Sequence, residues 1–351
     1  MSRLRDERLP SRSRWKQKRA DMRNVLILTR SPDPHMPPVA EAIRARGSGV
    51  VCFNLADFPE EMALQATLDG RQDGWSGSIS YQEQHVPLDS LASIWWRRPK
   101  QYKAPAAYSP GERTFLEEEA NRGIIGVLES LALQQTLWVS RLHSIRRAEL
   151  KPLQLAAAQQ LGLRTPRTLL TNDPGAARAF YEACQGQVVL KAVSRGAIEG
   201  EEKRFIYTSR VLPEHLASLV GVRATTHLFQ EYLPKRLDLR VVVIGRQVFA
   251  AEIHSQHSER TRLDFRQGYE DLTYAIHTLP GDVAAKALAL VRLFQLQFSS
   301  MDFLLTPEGD YAFLDLNPNG QFYWLQTRLL DRFPVKEAMA DLLTSPKDYC
   351  L

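Results

Sequence analysis

The sequence carries only three cysteines in 351 residues, Cys52, Cys184 and Cys350. An odd count without metal-ligand spacing excludes a disulfide framework and a cysteine-based zinc site, and it suits a reducing cytosol. No apolar run approaches the roughly 18 residues of a membrane span. Leu4 and Leu9 stand isolated among charges, so the start offers no secretory h-region. A cytoplasmic protein without a membrane partner is the expectation. Internal repeats and low-complexity tracts are absent, which excludes solenoids and arrays.

A large excess of charge is also missing, despite a formal net charge of +5. Between Met1 and Arg23 lie nine basic and three acidic side chains, a net +6, so the remainder sits at −1. With the positive charge confined to one tract, and no basic motif interleaved with aromatics, a nucleic-acid partner is excluded. The tract itself has too little apolar surface to order itself and is expected to be a disordered leader over 1–23. Met22 is an alternative start, because the first strand-like run begins just after it.

What is present reads as alternating elements. Asn24 to Thr29 is a β-run, Val39 to Arg46 helical, and Val50 to Asn54 a strand. Strand candidates follow at Met62 to Leu68, Ser78 to Tyr81 and Ser93 to Trp96, then an amphipathic stretch from Glu112 to Leu133. This gives an α/β domain over 24–138. A second unit, 139–233, opens with a helical pattern from Ala148 to Leu161. It continues with strands Arg167 to Leu170, Val188 to Lys191, Phe205 to Thr208 and Thr226 to Glu231. The third, 234–351, has β-runs Leu239 to Ile244 and Gln247 to Ile253 about a turn at Gly245, then Leu272 to Thr278. A periodic helix Asp282 to Leu296 and the strand pair Met301 to Leu305 and Tyr311 to Leu316 follow.

Several residues in this layout carry chemistry. Lys191 ends an apolar strand, where its charge must be paired because unpaired burial is costly, and a nucleotide phosphate would serve. Lys151 stands early in a helix. Ala192 to Gly196, with Gly200, makes a small loop able to lie over phosphates, though two glycines are a weak signal. Gln230-Glu231-Tyr232-Leu233 reads as a strand running into a hinge whose backbone can meet an adenine edge. After it, Arg240 projects from an apolar strand and calls for an anion, either Asp238 or a substrate group. Asp302 and Asp315 interrupt two adjacent apolar strands, where they would repel unless a cation bridged them. Asn317 lies two residues along from Asp315 on the same face. Hard oxygen donors of this kind suit Mg²⁺ held together with phosphates.

The ordered set Lys151, Lys191, Gln230 to Leu233, Asp238-Leu239-Arg240, Asp302 and Asp315 to Asn317 resembles the ATP-grasp ligases from about Arg147 to Gly320. Ser93-Ile94-Trp95-Trp96-Arg97-Arg98-Pro99, Leu263-Asp264-Phe265-Arg266 and Asn317-Pro318-Asn319-Gly320-Gln321-Phe322 narrow the resemblance to the graspetide, or microviridin-type, peptide maturases. Two residues depart from the pattern. Asp315 stands where the superfamily usually has Glu, and Phe265 where the maturases usually have Trp.

The resemblance implies an ATP-grasp fold of the α/β (α+β) class behind an N-terminal α/β pre-ATP-grasp domain. It implies ATP and Mg²⁺ as cofactors, a ribosomal precursor peptide as partner, and a homodimer. The activity it implies is the activation of Glu or Asp carboxylates as acyl phosphates, with closure onto Thr or Ser hydroxyls or Lys amines. In that scheme Lys151, Lys191, Gln230, Glu231, Tyr232, Leu233 and Asp238 bind nucleotide; Asp302, Asp315 and Asn317 hold metal; Arg240 and Arg266 position the acyl phosphate. Two other readings share these residues: a ligase acting on a small metabolite or dipeptide, and a non-catalytic nucleotide-binding protein. His254, at a strand end facing the expected cleft, reads as a structural histidine rather than a base. Strand alternation turns one of Arg97 and Arg98 inward and the other outward.

Overall fold

A computed structural model describes residues 23–70, 74–194, 196–198 and 204–351. The basic tract up to residue 22, Met22 included, and Arg195 and Gly200 of the glycine loop lie outside the described residues. The chain forms two compact units, Met1–Val139 with Met339–Tyr349, and Ser140–Ala338 with Cys350–Leu351. No described helix is long and apolar enough to cross a membrane.

In the first unit β1 (Asn24–Thr29) is followed by α1 (Met36–Ala45) and β2 (Gly49–Phe53). An antiparallel trio comes next, β3 (Met62–Thr67), β4 (Ser76–Tyr81) and β5 (Gln84–Pro87), and then β6 (Leu91–Arg98), α2 (Pro110–Ser130) and β7 (Leu137–Val139). Strands β2-β1-β6-β7 form one parallel sheet. A strand covered on both faces reads as a continuous apolar run, and Val25 to Leu28 are fully buried. Strand β5 had no strand-like signal of its own. Helix α2 starts where Ser109 and Glu112 cap each other, the Ser109 hydroxyl accepting from Glu112 N and the Glu112 carboxylate from Ser109 N.

The second unit opens with α3 (Leu142–Ala148) and α4 (Lys151–Gln160) in place of one continuous helix. Pro152 is the reason. It has no N–H to give to Ala148 O, so the helical hydrogen-bond ladder is interrupted there. Leu150 is accordingly extended at φ −80° and ψ 94°. The freed Ala148 carbonyl accepts from the Gln154 side chain at 2.5 Å. The break makes Lys151 the first residue of a helix.

Next come β8 (Thr168–Thr171), α5 (Pro174–Ala183), β9 (Val188–Lys191), β10 (Ala197–Ile198), β11 (Arg204–Phe205), β12 (Ser209–Arg210) and β13 (His227–Glu231). The expected strand Phe205 to Thr208 is therefore not continuous. Ile206 N is bonded to Gly196 O in register with the β10–β11 pair, whereas Thr208 N goes to the Asp264 carboxylate, so the run does not continue as one strand. Strands β12-β9-β13-β8 form an antiparallel sheet. One face packs Val188 and Phe229 against Ala177 of α5.

The remainder comprises β14 (Leu237–Ile244), β15 (Gln247–His254), β16 (Thr273–Ile276), α6 (Gly281–Leu293), β17 (Phe298–Leu305), β18 (Tyr311–Asn317), α7 (Tyr323–Leu329) and α8 (Val335–Thr344). Strands β16-β15-β14-β17-β18 form an antiparallel sheet of five. The β14–β15 hairpin turns at Gly245, whose φ of +51° costs an L side chain far more than glycine. Every residue of β14 is buried.

Candidate functional site

Register decides which side chains meet. Residues directly opposite across neighbouring strands share a face of the sheet. Ile276, Ala251, Arg240, Asp302 and Asp315 are successive partners and form one row across all five strands. Leu239, Phe303 and Phe313 form the adjacent row on the reverse face and are fully buried.

Strict alternation would turn Asp315 and Phe313 to the same side. The pairing instead passes from Asp302↔Asp315 to Phe303↔Phe313, leaving Leu314 as an extra residue. This β-bulge resets the phase of β18 and aims Asp315 at Asp302. Asn317, paired with Ser300, follows on the same face. The Asn317-Pro318-Asn319-Gly320 turn then folds back on Ser300. A Cβ on Gly320 would fall 2.4 Å from the Ser300 Cβ, so only glycine fits.

The charges in this row are incompletely satisfied. Arg240 Nε lies 3.1 Å from Asp302 Oδ1, yet the approach makes no hydrogen bond, and both buried atoms have no hydrogen-bond partner. Asp315 Oδ1 is likewise buried and unpartnered. Burial pushes the Asp315 carboxyl above the usual range; Lys151 opposes this and Asp302 adds to it. Lys151 Nζ lies 3.8 Å from Asp315 Oδ2 and donates to Ala192 O at 3.0 Å, tying the start of α4 to the end of β9.

Lys191 donates to Gln230 Oε1 at 2.7 Å, and Gln230 Nε2 donates to Thr168 Oγ1 at 3.0 Å. Burial lowers the Lys191 amine to about 8, with Asp315 resisting and Lys151 assisting. The structure thus brings Lys151, Lys191, Arg240, Asp302 and Asp315 into one electrostatic cluster. Two buried carboxylate oxygens without donors, on residues paired across neighbouring strands, are what a hard cation needs. Among the described residues no three His, Cys, Asp or Glu side chains group as a metal site, so phosphate oxygens would have to complete the shell. The donor set of Asp302, Asp315 and the Asn317 amide fits Mg²⁺ on those terms. Asn317 Oδ1 already accepts from Asn319 N at 3.0 Å, which holds the amide in place.

Other residues singled out from the sequence take different places. The Glu231 carboxylate is bidentate to Arg167, at 3.1 and 3.2 Å, and the strand ends at Glu231, so Tyr232 and Leu233 lie in the segment that follows it. The Tyr232 ring lies under Arg210, 4.2 Å from the guanidinium carbon. Asp238 does not pair with Arg240. It accepts from Lys235 at 2.7 and 2.8 Å and from Ser255 Oγ at 2.5 Å, and burial raises its carboxyl. Arg266 grips Asp264 at 2.8 and 2.5 Å and remains 46% exposed, so the guanidinium is fixed yet reachable.

His254 departs from the expectation that it faces the cleft. Glu252 is paired with Leu239, which puts His254 on the reverse face, where its Nε2 lies 3.1 Å from Glu252. Arg97 is fully buried while Arg98 is half-buried, as alternation requires. Lys235, Ser255 and Gln154 were missed. A lysine three residues before Asp238 is the only signal for the first, and the others show themselves only through contacts distant in sequence.

A family profile described as the MvdD pre-ATP grasp domain matches residues 24–146. Curated protein sequences give no match. The solved structures do. The macrocyclase MdnC from Microcystis aeruginosa MRC, bound with precursor peptide MdnA, is 30% identical over 92% of this chain and 99% of its own, with a TM-score of 0.78. The macrocyclase MdnB of the same organism is 33% identical over 92% of this chain and 99% of its own, with a TM-score of 0.74. A RiPP-associated ATP-grasp ligase of Chryseobacterium gregarium, in complex with ADP and a leader and core peptide, is 27% identical over 93% of this chain and 97% of its own, with a TM-score of 0.84. With identities of 30% and 33% across nearly the whole of two macrocyclases, the chain belongs to the ATP-grasp macrocyclases of ribosomal peptides and is an ATP-dependent ligase.

Proposed function

We propose that the protein uses ATP to activate Glu or Asp side chains of a ribosomal precursor peptide and joins them to Thr or Ser hydroxyls, or to Lys amines, of the same peptide. The observation that carries this reading is the row Arg240–Asp302–Asp315. Its two carboxylates with unpartnered oxygens face a chain of cations, Lys151, Lys191 and Arg240. The relatives described with precursor peptide or with ADP support the same reading.

The backbone of Glu231 to Leu233 would meet the adenine, and Lys191 and Lys151 would meet the phosphates, where a protonated amine has most to gain from a low-dielectric setting. A peptide carboxylate oxygen attacks the γ-phosphorus, ADP leaves, and an acyl phosphate forms. The hydroxyl or amine then attacks the acyl carbon, loses its proton and expels inorganic phosphate. Mg²⁺ held by Asp302, Asp315 and Asn317 would neutralise phosphoryl charge. Arg240 and Arg266 position the acyl phosphate; Asp264 holds the Arg266 fork in order before substrate arrives, while Asp302 meets Arg240 through charge alone.

Intact mass spectrometry of a Thr- and Glu-rich precursor incubated with enzyme, ATP and Mg²⁺ tests the reading. ATP-dependent loss of one water per bond is expected. An unchanged peptide mass, with ADP released only when a free amino acid or other small carboxylate is added, would replace the peptide by a metabolite.

A further inference from the structure

A cleft of about 490 Å³ opens beside the catalytic row, lined by Tyr269, Tyr274, Gln321, Trp324, Thr327 and Arg328. The mechanism above uses none of these residues. Tyr274 on β16 is paired with Ile253 on β15, itself paired with Asp238 on β14, so it stands on the same face as Arg240. Tyr269 links the two places, since its hydroxyl lies in the field of Arg240, Arg266 and Asp302. The cleft therefore continues the floor on which the acyl phosphate would form.

Its walls are amphipathic. Trp324 meets Tyr274 edge-on at 5.3 Å and Tyr269 at 6.0 Å between ring centroids. The Trp324 and Tyr274 rings pack against the buried cluster of Ile253, Phe265 and Leu272, so the cup has a rigid back. On α7, Trp324 and Arg328 are one turn apart and share a side, while Gln326 is anchored to Glu337 and to Lys336 N. The Tyr274 hydroxyl is buried without a hydrogen-bond partner. Arg328 is exposed, makes no ion pair among the described residues, and stands close enough to act electrostatically on Tyr274.

A single unneutralised guanidinium, a buried hydroxyl lacking a partner and three aromatic edges do not suit a triphosphate, which needs several cations. They suit one carboxylate on an aliphatic stem. We infer that this cup seats a second acidic side chain of the substrate peptide, Arg328 taking its carboxylate, Tyr274 bonding the adjacent backbone and Trp324 covering the stem. This rests on the peptide reading above. Its consequence is register. A peptide with several Glu and Asp residues can present any of them to the γ-phosphate, and an anchor beside the reacting carboxylate selects which one is presented.

The test compares wild type with Arg328→Ala, Arg328→Lys and Tyr274→Phe, using the natural precursor and a set of single Glu→Gln and Asp→Asn peptides. Arg328→Ala should raise the peptide KM about 10-fold, the size of a lost charge-assisted contact, with the ATP KM unchanged. Arg328→Lys should restore part of that loss, and Tyr274→Phe should raise the KM about 3-fold. One peptide substitution should cost wild type the same factor and cost Arg328→Ala nothing further, the mark of a direct pair. If wild type closes rings and Arg328→Ala matches it in peptide KM and bond count, or if the effects of Arg328→Ala and every peptide substitution simply multiply, the inference falls alone. If wild type closes no ring and binds no precursor, the peptide reading falls and takes this inference with it.

Discussion

Each of the two units contains an arginine on one strand of its sheet with an aspartate at a neighbouring strand or just beyond it, and the two pairs are built to opposite ends. In the first unit Arg97 on β6 is fully buried, its Nε 3.4 Å from Asp33, which lies just after β1. Asp33 is saturated, accepting from Thr29 Oγ1 at 2.7 Å and His35 N at 3.1 Å. Burial works to raise its carboxyl, but Arg97 and these donors win and hold it below the usual range. Burial, then Arg97, drive the His35 imidazole down to about 3, so it stays neutral. In the second unit Arg240 and Asp302 lie at 3.1 Å with side chains 10% and 30% exposed, and one buried oxygen each of Asp302 and Asp315 has no donor. A pair whose carboxylate oxygens both have donors serves the fold. An open pair left wanting serves a ligand, because an unmet buried oxygen destabilises the empty protein and rewards whatever fills it.

The comparison breaks most visibly at the two aspartates. Asp302→Asn should lower peptide-dependent ADP formation by about 10²- to 10³-fold or more, since a carboxylate that would hold the charge-neutralising Mg²⁺ is lost. Its thermal midpoint should stay level or rise, because the variant relieves the repulsion between Asp302 and Asp315. Asp33→Asn should do the reverse. Leaving Arg97 buried beside a neutral amide should cost about 3–5 kcal/mol in denaturant unfolding, with turnover per folded molecule preserved. Should Asp302→Asn unfold and Asp33→Asn lose only activity, the assignment of the two pairs would be inverted.

Neither pair is legible in the sequence, although several of the elements that carry them are. The runs Asn24 to Thr29 and Val188 to Lys191 have the bounds that the sequence predicts; in the first, Val25 to Leu28 are covered on both faces and show unbroken apolar text. The alternation at Arg97 and Arg98 was readable for the same geometric cause. Lys151 and Lys191 stood out by setting, but that Lys151 begins a helix depends on Pro152, whose breaking effect the apolar periodicity masked. The two-residue strands β10, β11 and β12 are too short for any period. The orientation of Asp315 hangs on one extra residue, Leu314, and a bulge leaves no composition signature. Tyr274, Trp324 and Arg328 are 50 and 54 residues apart along the chain at their ends and meet only through the fold, so no local pattern marks them.

Lys191 sharpens the comparison through pH. Its amine ionises near 8, so the charged form dominates below that value and is lost above it. A nucleotide phosphate binds the ammonium, and affinity for ADP should therefore hold between pH 6 and 7 and fall as pH rises through about 8. The total loss should reach about tenfold by pH 9.5, the value of one charge-assisted contact. Lys191→Met should be weak and flat across the range, and Lys191→Arg flat. Titration of ADP into each protein at fixed ionic strength measures this; a wild-type profile without a downturn near 8 would remove Lys191 from phosphate contact.

The smallest effect belongs to Glu231, a carboxylate in the hinge with an arginine fully engaged. Its bidentate pair with Arg167 is mostly solvent-facing, the Arg167 side chain being 56% exposed, and water screens such pairs heavily. If the hinge meets adenine through its backbone, Glu231→Gln should change ATP affinity by no more than about threefold. The strand position is held without the carboxylate, since Glu231 N donates to Arg167 O at 2.8 Å and Tyr232 N to Gln187 O at 2.9 Å. A loss of tenfold or more in an ATP titration would instead place the carboxylate itself against the nucleotide. Glu231 would then belong with Asp302 among the groups kept ready for a ligand, and Arg167 would be the residue it releases on binding.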